Sequence, residues 1–333
     1  MKGLELSRRY YETVGKPALE KLFANWLPRL AVGLVGEGSE CFGYDDELSR
    51  DHDFGAGFCI WLNREDYAAI GPELQRIYDG LPREFLGFPA RNETEQAGKR
   101  VGVMEITSFY SRFVGRYQPP KTMLEWLYLP ENNLATVTNG AVFADPLGEF
   151  SGIRKQLAQY YPEDVRIKKI AARCAVMAQA GQYNYGRCMR RKDAAAAQLA
   201  LHEFMKAALS LVYLMNRIYA PYYKWQFYRL NLAMRERTDN FVLPEVVRQL
   251  ERLVLTSQQL PAWNHRQQTE CNQDINFLDE RVSIIENICT SVAVELQKQG
   301  LSWQSSPFLQ AHLPDIMSHI RNPELRARHV LDG

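Results

Sequence analysis

The sequence is most informative first in what it lacks. Six cysteines, at 41, 59, 174, 188, 271 and 289, form no Cys-x-x-Cys pair, which argues against a zinc ribbon or a disulfide framework and for a reducing compartment, the cytoplasm. No apolar run approaches the ~18 residues that a membrane helix needs; the densest, residues 54–62, is short and contains two glycines. Glu5, Arg8 and Arg9 precede any apolar run, unlike a signal peptide. There is no His-Glu-x-x-His, no Gly-x-Ser-x-Gly and no Walker lysine after a glycine loop, and the six histidines show no metal-ligand spacing. With 46% hydrophobic and 24% charged residues, disorder, collagen and low-complexity readings are excluded. A length of 333 residues suggests about two domains at the usual ~100–200 residues each.

The net charge of +1 hides an asymmetry: residues 1–150 hold 16 Lys+Arg against 22 Asp+Glu, and residues 151–333 hold 24 against 17. The first part is thus at −6 and the second at +7. Two solvated surfaces of different bias would explain this, as would metal ions on one side and phosphates on the other. A near-zero total disfavours a long nucleic-acid-binding surface.

Hydrophobic periodicity divides the chain near residue 150. Before it the pattern is mixed: a helix over 4–27, short buried strands at 31–35, 53–62, 101–107 and 141–143, and a helix over 64–79 capped by Asn63. Beyond it helical periods dominate, at 163–180, 194–218, 244–256 and 273–299, and the polar last dozen residues are expected to fray.

One constellation carries chemistry. Gly36-Glu37-Gly38-Ser39 follows an apolar strand, and Asp51-His52-Asp53 follows after a spacer of eleven residues. Two glycines let a backbone turn tightly and expose N–H groups, the geometry of an anion nest. Asp51 and Asp53 are two apart, so on a strand both carboxylates leave one face, while His52 leaves the other and is expected to be structural. Paired carboxylates suit Mg²⁺, which prefers oxygen ligands and keeps substrate phosphates in its shell. The third residue of a dinucleotide fingerprint would fall at Cys41, so that fingerprint fails.

The run LVGEGS, ECFGYDDELSR, DHD resembles the nucleotidyltransferase superfamily, whose signature is an apolar strand, Gly-Ser, a spacer and Asp-x-Asp. The longer run to Leu62, with VFADPLGEF at 142–150 and YAPYYKW at 219–225, is similar to a bacterial domain family of unknown function, the 4037 type, and spans roughly residues 30–230. The resemblance implies an α+β chain: a mixed-sheet nucleotidyltransferase-type domain over 1–150, then an all-helical domain over 151–333. It implies two Mg²⁺ ions held by Asp51, Asp53 and a third carboxylate. Glu105 in VGVMEIT is the candidate, although the superfamily usually has Asp there. It also implies ATP as substrate, with Gly38 and Ser39 on its phosphates and Lys224 reaching the triphosphate. The activity implied is transfer of a nucleoside monophosphate, AMP from ATP, to a hydroxyl of a small molecule, releasing pyrophosphate. A protein or tRNA acceptor, or a non-catalytic nucleotide-binding module, are the alternatives.

For the remaining residues the plain reading is structural. Asp145 before Pro146 initiates a turn, Cys41 and Cys59 are small buried hydrophobes, and Tyr183 and Tyr185 pack. Asp45, Asp46 and Glu47 read as a solvated loop, and Arg187, Arg190, Arg191 and Lys192 as a solvated basic face.

Overall fold

The computed structural model describes residues 1–50, 54–91, 99–256 and 279–333, together with the backbone of two short strands at Gln267–Gln268 and Asp274–Ile275. The chain forms two compact units: Met1–Pro120 with Leu129–Tyr160, and Lys121–Tyr128 with Tyr161–Gly333.

The first unit is built on four strands, β1 (Ala31–Leu34), β2 (Cys59–Leu62), β3 (Gly102–Glu105) and β4 (Ala141–Ala144), in the order β3-β2-β1-β4. β1 is antiparallel to β2, with Gly33 opposite Cys59 and Ala31 opposite Trp61, and antiparallel to β4. β2 and β3 run parallel, with Cys59 level with Gly102 and Leu62 with Glu105. The mixed sheet agrees with the expected α+β class.

β1 and β2 are buried along their whole length. This explains why they read as unbroken apolar runs: both faces of the sheet are covered. Alternation still sorts the side chains. Val32, Ile60, Leu62 and Val103 join Tyr10, Tyr11, Phe58 and Leu74 in one core. Trp61 instead stacks on Phe150 at 4.0 Å between ring centroids, with Phe109 and Tyr110 beside Phe150.

That stack moves the domain boundary. Phe150 belongs to the helix Glu149–Ala158, so the helix closes the first unit rather than opening the second. The strand expected over 101–107 also ends early, at Glu105. Ile106, Phe109, Tyr110 and Phe113 are spaced by three or four and are all buried, so the chain continues as the helix Ile106–Val114. The helix Arg64–Asp79 starts as expected, with the Asn63 side chain accepting the Asp66 N–H at 2.9 Å.

The second unit is helical. Glu163–Met177, continued through a π-helical turn at Ala178–Tyr185, packs along Ala194–Met215. Pro244–Leu255 and Glu280–Lys298 pack on each other. The last residues are tied down rather than frayed. Lys168, fully buried, donates to the carbonyls of Arg328 at 2.8 Å and His329 at 2.7 Å, and Arg173 donates to the Gly333 carbonyl. A buried ammonium requires such acceptors. Among the described residues no helix is long and apolar enough to cross a membrane.

Candidate functional site

The site begins where β1 ends. Val35 is still buried, and the chain then turns through Gly36 at φ +129° and Gly38 at φ +122°. Side chains with a Cβ rarely adopt such angles. Asn139, just before β4, fixes the turn from both sides: its Oδ1 accepts the Gly36 N–H at 3.0 Å, and its Nδ2 donates to the Gly36 carbonyl at 2.7 Å. Arg154 in turn donates to the carbonyls of Asn139 and Gly140. The loop then enters the four-residue helix Ser39–Phe42, whose N-cap is Gly38 and not Ser39. Ser39 therefore does not cap this helix, and it stays half-buried at the loop's edge.

Beneath the loop lies a buried ion pair. The Glu40 side chain folds back under Gly38 and pairs with Arg91. Both side chains are under a tenth exposed, at 7% and 3%. Burial pushes the Glu40 carboxyl up, against the pull of the Arg91 guanidinium. Arg91 follows Ala90, which bridges Ala56 on the segment leading into β2, so the pair ties the loop to that segment. Burial likewise pushes the Cys41 thiol up.

Above the loop, Glu37 between the two glycines meets two arginines. Arg112 Nη2 lies 2.5 Å from Glu37 Oε2, and Arg100 Nε lies 3.8 Å from the same oxygen. Arg112 comes from the helix Ile106–Val114, and Arg100 stands just before β3. No acceptor among the described residues takes the N–H of Glu37, Gly38 or Ser39.

The register decides which candidates share this end of the sheet. Gly33 faces Cys59, and Cys59 is level with Gly102. The glycine loop, Phe54 and the residues after it, and Arg100 therefore all lie at one end. Asp51 and Asp53 fall outside the described residues, as does His52; the chain is described again from Phe54. Glu105 is at the other end. It is level with Leu62 while Gly36 continues past Gly33 in the opposite direction, roughly 20 Å of strand at ~3.3 Å per residue. Its two oxygens accept the hydroxyls of Thr107 and of Ser108 (2.8 Å), and the Thr107 bond in particular holds its carboxyl below the usual range. The structure does not bring Glu105 to the glycine loop.

Lys224 belongs to the second unit. It is exposed on the turn Tyr223–Trp225, with Nζ 5.4 Å from the centre of the Trp225 ring. Tyr222 and Tyr223 beside it are exposed, with rings 4.5 Å apart. Asp145 makes a turn: its carboxylate accepts the N–H groups of Gly148 at 3.1 Å and Ser151 at 2.7 Å. Tyr185 is buried, its hydroxyl donating to Asp279, and Arg187 lies over the Tyr183 ring. The acidic loop departs from expectation. Asp46 is exposed and bonded to Ser49, but Asp45 is buried and accepts the Gly3 N–H at 2.8 Å. Among the described residues no three metal-ligating side chains converge.

The sequence did not single out Glu37, Arg100, Arg112, Asn139 or the Glu40–Arg91 pair. Each contact joins residues far apart in the chain, with no period or motif linking them; only topology brings them together.

Residues 126–226 match the model of a domain of unknown function, DUF4037. The matched stretch holds the Asp145 turn and Lys224 but not the glycine loop. Among solved structures, the chain is similar to a nucleotidyltransferase-like protein from Exiguobacterium sibiricum 255-15, with a TM-score of 0.36 and 12% identity over 91% of this chain and 89% of that one. No curated protein matches the sequence.

Proposed function

We propose that this chain is a nucleotidyltransferase moving a nucleoside monophosphate, AMP from ATP, onto a hydroxyl of a small molecule with release of pyrophosphate. One observation carries the reading: a strained glycine loop with open N–H groups ends β1 at the same sheet end where the chain leaves Asp51-His52-Asp53 and heads into β2. Nests of this kind hold phosphate oxygens. The donor set of the motif is two carboxylates without nitrogen or sulfur, which fits Mg²⁺. Asp51 and Asp53 would hold the metal, and it would supply charge neutralisation on the triphosphate.

The loop's own task is orientation. N–H groups of Gly38 and Ser39 and the Ser39 hydroxyl would fix the phosphates so that the acceptor oxygen meets the α-phosphorus in line with the leaving pyrophosphate. A new bond from acceptor oxygen to α-phosphorus forms as the α–β bridging bond breaks, and the hydroxyl proton leaves to a base. Lys224 is proposed as a further phosphate donor, because an exposed ammonium is a mobile point charge. Glu105 is assigned to the first turn of its own helix instead of the metal.

That assignment favours a second reading, a nucleotide-binding module without turnover, because a two-carboxylate site lacks the third ligand of the superfamily. Pyrophosphate release decides between them. Asp51→Asn and Asp53→Asn each remove a charge without changing shape, and each is expected to abolish Mg²⁺-dependent release with the melting temperature unchanged. Wild-type protein that binds ATP but releases no pyrophosphate across a panel of hydroxyl acceptors would favour the second reading. Variants that retain turnover would overturn the first.

A further inference from the structure

Glu37 sits in the position of an anion. It lies between two positive-φ glycines, in a loop whose N–H groups at 37, 38 and 39 have no acceptor among the described residues. Its carboxylate is met by Arg112 at 2.5 Å and faced by Arg100 at 3.8 Å. The three side chains are neither buried nor fully solvated, at 41%, 38% and 21% exposure. Arg112 is braced by a second bond, Nη1 to the Lys99 carbonyl at 3.0 Å, which aims its guanidinium at the loop. A guanidinium binds carboxylate and phosphate through the same planar fork. A carboxylate that occupies two forks beside open backbone donors therefore fills a phosphate-shaped place.

We propose that Arg112 and Arg100 are the phosphate-binding arginines of the glycine loop, and that Glu37 is a built-in competitor which a polyphosphate must displace. The inference rests on the nucleotidyltransferase reading for the ligand's biological form, a nucleoside triphosphate, but not for the anion chemistry. Glu37 then sets a threshold. A single phosphate or a carboxylate metabolite exchanges one anion for another with little gain. A triphosphate reaches both arginines and the loop N–H groups together and wins the exchange. The geometry also accounts for an acidic residue in a loop otherwise suited to anions, where its charge would repel the ligand if it were not paired.

The test uses inorganic tripolyphosphate, titrated calorimetrically into the full chain without Mg²⁺. This probe cannot be transferred, so failure of the enzymatic reading and failure of the clamp are separable. Glu37→Gln frees both guanidinia and is expected to tighten tripolyphosphate by about tenfold, the size of one charge-assisted contact regained. Arg112→Gln is expected to weaken it by about the same factor and to remove most of the gain in the double variant with Glu37→Gln. Arg112→Lys, which keeps charge but loses the fork, is expected to recover only part of the affinity. Glu37→Gln that melts like wild type yet binds no more tightly would overturn the proposal. So would an Arg112→Gln change that leaves the affinity of the Glu37→Gln background untouched. If Glu37→Gln lowers the melting temperature, the Arg112→Gln/Glu37→Gln comparison at a temperature where both are folded still decides.

Discussion

Asn139 holds Gly36 by both of its backbone groups, accepting the N–H at 3.0 Å and donating to the carbonyl at 2.7 Å. The two residues are far apart in sequence, yet β4 brings Asn139 beside the end of β1 through the antiparallel register. The carboxamide thus substitutes for a strand partner exactly where the ladder has ended and the chain must turn.

The first expectation follows from that bond pair. Asn139→Ala leaves a donor and an acceptor of a buried glycine unpaired. The stability cost is about 1–3 kcal/mol, read as a lower urea midpoint. Asn139→Asp keeps the acceptor and loses the donor, and is expected to lie between. Tripolyphosphate affinity is expected to fall with Asn139→Ala even where the protein remains folded, because the loop is no longer pre-set. Unchanged affinity would mean that the loop shapes itself without Asn139.

Glu105 provides the second. Its carboxyl is held low by the Thr107 hydroxyl first and by Ser108 after it. A group whose folded pKa lies below its unfolded value adds stability above the unfolded pKa and loses it as pH falls through the folded one. Glu105→Gln is therefore expected to melt lower than wild type at pH 7, with the gap closing as pH drops below about 4. Since the carboxylate is mostly exposed, the gap is expected to be small. Pyrophosphate release is expected to stay within a few-fold of wild type. A loss near 100-fold would return Glu105 to the metal site.

How far the sequence could be read differs between the two levels of structure. The strands at 31–35 and 141–143 were legible because buried apolar runs flanked by glycine or Asp-Pro have few other solutions. VGVMEIT was misread at its end: Ile106 continues the alternation of a strand equally well as the first turn of a helix, and only Phe109, Tyr110 and Phe113 downstream settle it. The expected boundary at 150 failed for a related reason. Phe150 gives no local sign that its partner is Trp61. At the site, the glycine loop was legible because positive φ leaves its mark in residue type. Its charged surroundings were not, because ion pairs such as Glu37–Arg112 depend on register and carry no periodic signature.

Lys224 gives the third expectation. It is exposed, and its one described contact of note is with the Trp225 ring. Lys224→Met keeps the aliphatic stem over that ring and removes the charge, so the melting temperature is expected to hold within a degree or two. If Lys224 is a phosphate donor, ATP binds more weakly by roughly 1–3 kcal/mol. Equal affinities would leave it a surface lysine.

The two loop glycines separate strain from crowding. Both have positive φ, so an alanine at either position meets the same backbone penalty of about 1–3 kcal/mol. Their surroundings differ. A Cβ at Gly36 would find only a Phe109 ring carbon at 3.7 Å, an ordinary contact. A Cβ at Gly38 would fall 2.4 Å from Glu40 Oε1 and 2.7 Å from its carboxyl carbon. A carboxylate at the end of a flexible side chain could usually step aside. Here it is buried and paired with Arg91, so moving it exposes both charges to an unpaired burial. Gly38→Ala is therefore expected to destabilise by more than Gly36→Ala, with chemical denaturation measuring the difference. Equal losses would mean that the Glu40–Arg91 pair can shift freely, and that the buried ion pair does not brace the loop from below.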